Sequence, residues 1–420
     1  MRLITFQPNR KLVSIRPFYI FLATIFLVLF ADSIMSYYFP LVVENNINSN
    51  TIVGIVMALS SMVGLACDLI FPQLFQKKTW KFLLVAGIIV SITFPIVVNL
   101  GIAFASISVF LLASIMWGIY YEFLSFSQQS FVISTESRDS FSKDWGLVSI
   151  ITGLGSLVGP IVGSLLVRDT LVNSATIIVA LQFMALIFAI LLISSEKRGK
   201  KIEVVEEEIK MSISRELIYW FVLLKRIWPP IVVGLAMTFI SASFWTIGPL
   251  FGQQILGDSG LDWLIVVIFI IPTIPGAIIL SRLKIIKHKK IISEIGLLFS
   301  GISMACIFLV QNNIVIVLFL VLLLGLFLSF TWPLNEAVYS DITDRAGDKK
   351  LHVTAITRAN TSIGYVVGPI MAGFIADKTD YFTAFSIVGL IVLVISALLI
   401  VFTPRKLKLP QSKLAEIEAI

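Results

Sequence analysis

Apolar residues are gathered into long runs separated by short polar stretches. A bilayer core about 30 Å thick takes about 20 apolar residues of helix, and twelve runs of that order can be counted, near 18–43, 51–74, 82–100, 104–127, 145–167, 171–194, 227–253, 261–280, 291–310, 314–334, 353–376 and 382–401. The pattern predicts an all-α integral membrane protein of twelve transmembrane helices. The polar stretches test that count, because Lys and Arg are retained on the cytoplasmic side. With the N-terminus cytoplasmic, only Arg168 and Lys378 of the 32 basic residues fall outside. An even number of spans with both termini cytoplasmic, in the cell membrane, is therefore expected. The first run follows Arg2, Arg10, Lys11 and Arg16, as a secretory signal would. It is too long for a signal core and lacks a small-residue cleavage pattern, so it is read as an uncleaved span.

Composition agrees. Hydrophobic residues make up 58% of the 420 positions and charged residues 14%, against about 45–50% and 25% in soluble domains. The net charge of +7 lies in clusters between runs, so it reflects membrane topology and not nucleic-acid binding. Cys67 and Cys306 both lie in apolar runs and form no metal or redox motif. No cofactor or metal is expected.

The longest inter-run stretch, 195–226, is rich in charge and falls at the chain's midpoint. It divides the chain into six-helix halves, 1–194 and 227–420, with a cytoplasmic linker whose tract 217–224 suits an interfacial helix or an extension of the seventh span. An internal repeat supports the division. Gly155, Gly159, Pro160 and Gly163 of the fifth run recur in the eleventh as Gly364, Gly368 and Pro369, with Gly373 one position late, at an offset of 209. Gly118 and Gly325, and Arg138 and Arg345, repeat at 207. Parallel six-helix repeats with a site between them are a transporter architecture.

With these features the chain resembles the major facilitator superfamily over essentially its whole length. Its fifth run, GSLVGPIVG from Gly155 to Gly163, resembles the Gly-x3-Gly-Pro-x2-Gly motif of the drug:proton antiporter group. The resemblance implies a hinge or proton-leak seal there; ordinary close packing of small residues is the plainer alternative. The family's loop motif between spans two and three is degraded. Its place is taken by the stretch 72–81, which includes Lys77 and keeps only basic character, while Gly64 and Asp68 match its start. The arginine expected in the fourth run is Ser114.

Carboxylates inside apolar runs are the sharpest chemical signal, since an ionised Asp at a helix centre costs roughly 2.5–3.5 kcal/mol. Asp32 lies mid-run in the first span, and Glu122 lies in the fourth beside Trp117, Tyr120 and Tyr121. The resemblance places spans one, four, seven and ten around a central cavity. Asp32 and Glu122 are then candidate proton or cation carriers, or else hydrogen-bonded structural carboxyls. Trp117, Tyr120, Tyr121 and Trp245 are candidate walls for an amphipathic cation, whereas Tyr37, Tyr38 and Phe39 fit an interfacial aromatic belt better. Asp68, Lys77, Glu336 and Arg358 are candidates for a cytoplasmic gate, with Glu336 and Arg358 as a possible pair.

The leading expectation is a monomeric secondary transporter that exports small amphipathic or cationic organic compounds in exchange for protons. A nutrient symporter for sugars or organic acids is the runner-up. It is disfavoured because the apolar runs offer few hydrogen-bonding side chains and few buried cations. A signalling protein on the same fold is the third reading. An enzyme is not expected: His288 and His352 lie between runs, and the sequence lacks HExxH, GxSxG and GxxxxGK[ST].

Overall fold

The computed structural model describes residues 16–75, 79–135, 141–168, 174–195, 213–283, 288–346 and 350–403. Thirteen α-helices follow one another: α1 (Arg16–Ile47), α2 (Asn50–Phe75), α3 (Trp80–Phe104), α4 (Ile107–Thr135), α5 (Phe141–Arg168), α6 (Ser174–Ser195), α7 (Ile213–Leu256), α8 (Leu264–Ile270), α9 (Thr273–Leu283), α10 (Lys289–Ala305), α11 (Ile314–Ala346), α12 (Lys350–Lys378) and α13 (Tyr381–Phe402). Among the described residues there is no strand.

Among the described residues, ten helices are individually long and apolar enough to cross a bilayer. The other two predicted spans are interrupted. The eighth run is split into α8 and α9 at Pro272, which brings no backbone N–H to the helical ladder. The ninth is α10 followed by the 3₁₀ turn Phe308–Val310. The sequence pattern thus counted the crossings well and missed these two breaks. The tract at 217–224 is part of α7, which is 44 residues long.

Glycines decide how closely helices approach. In α2 the Cβ position of Gly54 falls on the Pro369 carbonyl oxygen of α12, and that of Gly373 in α12 falls on the Asn50 carbonyl of α2. Neither site has room for a side chain, so the two backbones touch. Gly118 likewise lets α4 lie on the Ser60 carbonyl of α2, and its repeat partner Gly325 lets α11 lie on the Phe269 carbonyl of α8. Gly155 and Gly159 face Leu29, Phe30 and Ser33 of α1, while Gly364 and Gly368 face Thr238, Phe239 and Ala242 of α7. Gly163 packs against Ile34 and Tyr37. Both copies of the motif therefore serve close packing, on α1 and on α7 respectively.

Candidate functional site

A cavity of about 520 Å³ lies among α1, α2, α4, α5, α7, α11 and α12. Asp32 reaches it from α1. Its Oδ1 accepts hydrogen bonds from the Trp117 indole N–H at 2.8 Å and from the Tyr120 hydroxyl. Tyr120 is fully buried behind it and Trp117 stacks on Phe94 at 5.5 Å. Oδ2 takes neither bond, so the carboxylate is fixed at one oxygen.

A second charged cluster lies toward the end that the charge pattern assigns to the cytoplasm. The Arg358 guanidinium of α12 donates to Asp68 of α2 at 3.0 Å and to the Ser125 hydroxyl of α4 at 3.3 Å. It also lies over the Phe126 ring, 5.4 Å from the centroid. Glu122 lines the same cavity, and its Oε1 is 3.2 Å from the Cβ position of Gly64 on α2.

Other groups tie the helices together at the opposite end. The Tyr37 hydroxyl of α1 donates to Asp262 at 2.6 Å, and the Ser164 hydroxyl of α5 donates to its other oxygen at 2.9 Å. Asp262 precedes α8 and is only 4% exposed. At the same end, Asp377 near the end of α12 accepts from the backbone N–H groups of Asn50 at 2.6 Å and Thr51 at 2.8 Å, and from the Ser49 hydroxyl at 2.9 Å. It satisfies N–H groups that the first turn of α2 would otherwise leave without a partner.

The model of the Major Facilitator Superfamily matches residues 261–419. No curated protein sequence matches the chain. Among solved structures, a POT family transporter in complex with a thioalcohol-conjugated peptide superposes with a TM-score of 0.74 at 13% identity, covering 93% of this chain and 96% of the other. The nucleoside transporter NupG gives 0.70 at 13% identity, with 92% and 98% covered. A bacterial homologue of the human lysosomal transporter Spinster, inward-facing and unoccupied, gives 0.67 at 13% identity, with 96% and 95% covered. The chain is a multi-pass membrane protein of the major facilitator fold.

Within that fold the cavity gathers most of the residues expected to bind solute or proton or to form the gate, together with one of the glycine-proline motif. Asp32, Asp68, Trp117, Tyr121, Glu122, Trp245, Arg358 and Pro369 line it. Three expectations need correction, and one falls on undescribed residues. Arg358 pairs with Asp68, not with Glu336, which lies exposed on α11. Lys77 lies outside the described residues. Tyr37 and Phe39 are fully buried and form no interfacial belt; Tyr37 holds Asp262, and Phe39 packs on Phe94 and Trp117. Finally, ten of the 25 residues lining the cavity are Ser or Thr, where few hydrogen-bonding groups were expected. They are scattered singly over several apolar runs, so no local segment looks polar.

Asp262 and Asp377 were missed for a related reason. Each stands at the edge of an apolar run, where a charge is cheap and carries no signal. Their partners lie 98 to 328 positions away, so only the folded chain brings them together.

Proposed function

We propose that the chain is a secondary active transporter working by alternating access, which exports small organic cations in exchange for protons. Two six-helix halves, 1–194 and 227–420, would rock about the cavity, with 195–226 as the cytoplasmic linker and the Gly155–Gly163 and Gly364–Pro369 stretches as close-packed pivots. The monomer suffices, since one chain carries the whole cavity. The observation that carries this reading is the excess of acid in the cavity: Asp32, Asp68 and Glu122 against the single guanidinium of Arg358. A carboxylate in a nearly apolar bundle is costly unless neutralised by a proton or a cation, so the same group can exchange one for the other. Trp117 and Tyr120 would position Asp32, while Tyr121 and Trp245 would flank the solute.

Purified protein reconstituted in vesicles should then drive an organic cation against its gradient when a pH difference is imposed. The double variant Asp32→Asn, Glu122→Gln should lose at least a hundredfold of that gradient-driven rate. Undiminished transport by the double variant would remove both carboxylates from the mechanism, and transport indifferent to the gradient would remove proton coupling.

The hydroxyls of the cavity favour one other reading, proton-coupled uptake of a polar nutrient such as a sugar. Uptake of a labelled hexose, driven by an inward proton gradient and competed by unlabelled hexose, would establish it in place of export.

A further inference from the structure

The hydroxyl groups of the cavity are not neutral in their hydrogen-bonding sense, and their bias narrows the solute. Five of the ten donate to a carbonyl three or four residues back on their own helix. These are Ser36 to Asp32 at 2.9 Å, Ser60 to Met57 at 2.8 Å, Thr152 to Val148 at 2.9 Å, Thr246 to Ala242 at 2.8 Å and Thr361 to Thr357 at 3.2 Å. Helical Ser and Thr commonly bond back in this way. A hydroxyl has one proton and two lone pairs, so once the proton is committed the group can only accept from the cavity.

Two of the strong donors are engaged as well: Arg358 donates to Asp68 and Ser125, and the Trp117 indole donates to Asp32. The rest of the Arg358 fork and the Trp245 and Trp332 indoles remain as donors in the lining, fewer than the acceptors. The uncommitted Ser61, Ser156 and Ser362 can play either part, whereas the Ser33 hydroxyl is buried against Gly159. What tips the balance is the set of groups that accept: the five back-bonded hydroxyls, Asp32 through its second oxygen, and the Asp68 and Glu122 carboxyls.

We propose that the solute is a cation rich in N–H donors, such as a primary amine, an amidine or a guanidine. This rests on the reading of the cavity as the transport site and deepens it. A quaternary or lipophilic cation would satisfy the charge but leave the ring of acceptors without donors, and burying acceptors unpaired costs about 1–3 kcal/mol each. A sugar brings as many acceptors as donors and no positive charge. Aromatic walls alone would not discriminate in this direction, because cation–π attraction accommodates quaternary ammonium groups readily.

The test is a methylation series that holds charge and ring constant while removing donors. Full-length protein in detergent is titrated at neutral pH with 2-phenylethylamine, its N,N-dimethyl derivative and its N,N,N-trimethyl derivative, and thermal stabilisation is read as apparent affinity. Affinity should fall along the series, by tenfold or more between the primary amine and the trimethyl compound. Thr152→Val and Thr361→Val, each close to isosteric, should weaken the primary amine several-fold and leave the trimethyl compound unchanged. An equal or reversed order, binding of none of the three, or variants that shift both compounds alike would overturn the proposal. The transport reading is judged separately: a trimethyl compound bound best and moved by a pH gradient would leave it standing, whereas a preferred primary amine indifferent to the gradient would sink proton coupling and keep the donor preference.

Discussion

The two walls of the cavity differ in chemistry more than in construction. α1, α2, α4 and α5 supply Asp32, Asp68 and Glu122 and seven of the ten hydroxyls. α7, α11 and α12 supply Arg358, Trp245, Trp332, Tyr365 and no carboxylate. Yet the glycines that pack the helices recur in both, on equivalent neighbours. The scaffold is repeated while the chemistry is divided. An acidic wall can hold a cation while an aromatic wall moves over it, and the single guanidinium crossing from one to the other ties the two together.

The largest effect should come from cutting that tie. Arg358→Ala leaves the Asp68 carboxylate without its cation, and a hydrogen bond to a charged group is worth roughly 1.5–3 kcal/mol. Thermal unfolding in detergent should show a loss of about that size. The pair Asp68→Ala, Arg358→Ala should lose clearly less than the sum of the two single changes. Arg358→Lys should recover only part, because an ammonium lacks the fork that reaches Asp68 and Ser125 together. Additive losses would mean the walls are not coupled through this residue.

Next in size is the Asp262 cluster at the other end. Asp262→Asn keeps the shape of the side chain but removes its charge and gives it an amide donor in place of one acceptor. One of the bonds from Tyr37 and Ser164 must then weaken, at a cost of about 1–2 kcal/mol. Because Asp262 precedes α8 while Tyr37 and Ser164 belong to α1 and α5, the loss should loosen this end. A cysteine placed at Ser36, in a background with Cys67 and Cys306 replaced, should react faster with an impermeant thiol reagent added from outside. An unchanged labelling rate would make the Asp262 cluster a static brace.

These residues mark where sequence reading succeeded and where it ran out. Twelve crossings were legible because each run is a local quantity, and Asp32 and Glu122 were legible because a charge inside such a run stands out. The glycine repeat was legible because it is periodic. The partner of Arg358 was not, since Asp68 lies 290 positions away and Glu336 lies closer in sequence. The hydroxyl lining was invisible for a different reason. A Ser or Thr bonded to its own helix is tolerated anywhere in a span, and only the fold shows that ten of them face one space.

The glycine copies permit a matched test of the construction itself. In Gly159→Ala the new methyl group would overlap the Ser33 side chain, and in Gly368→Ala it would lie 2.8 Å from the Phe239 carbonyl oxygen. Overpacking of this kind costs about 1–3 kcal/mol. Ser33→Gly should restore part of the stability lost in Gly159→Ala, since it removes the two side-chain atoms at 2.4 Å but leaves the Ser33 carbonyl carbon at 2.8 Å, and should do nothing for Gly368→Ala. Rescue of both, or of neither, would show that the two seams are not independent copies of one packing device.

The smallest expected effect concerns Ser33 alone, and it separates packing from mechanism on the acidic wall. Its hydroxyl is buried against Gly159 and is without a hydrogen-bond partner among the described residues. A buried polar group left unpaired lowers stability, so Ser33→Ala should be neutral or stabilise the protein by up to about 1 kcal/mol, with transport rates unchanged. If the melting temperature rises and transport nevertheless falls, the hydroxyl must find its partner in another state of the cycle. α1 and α5 would then slide past each other at this seam during transport, and the acidic wall, rather than the aromatic one, would be the wall that moves.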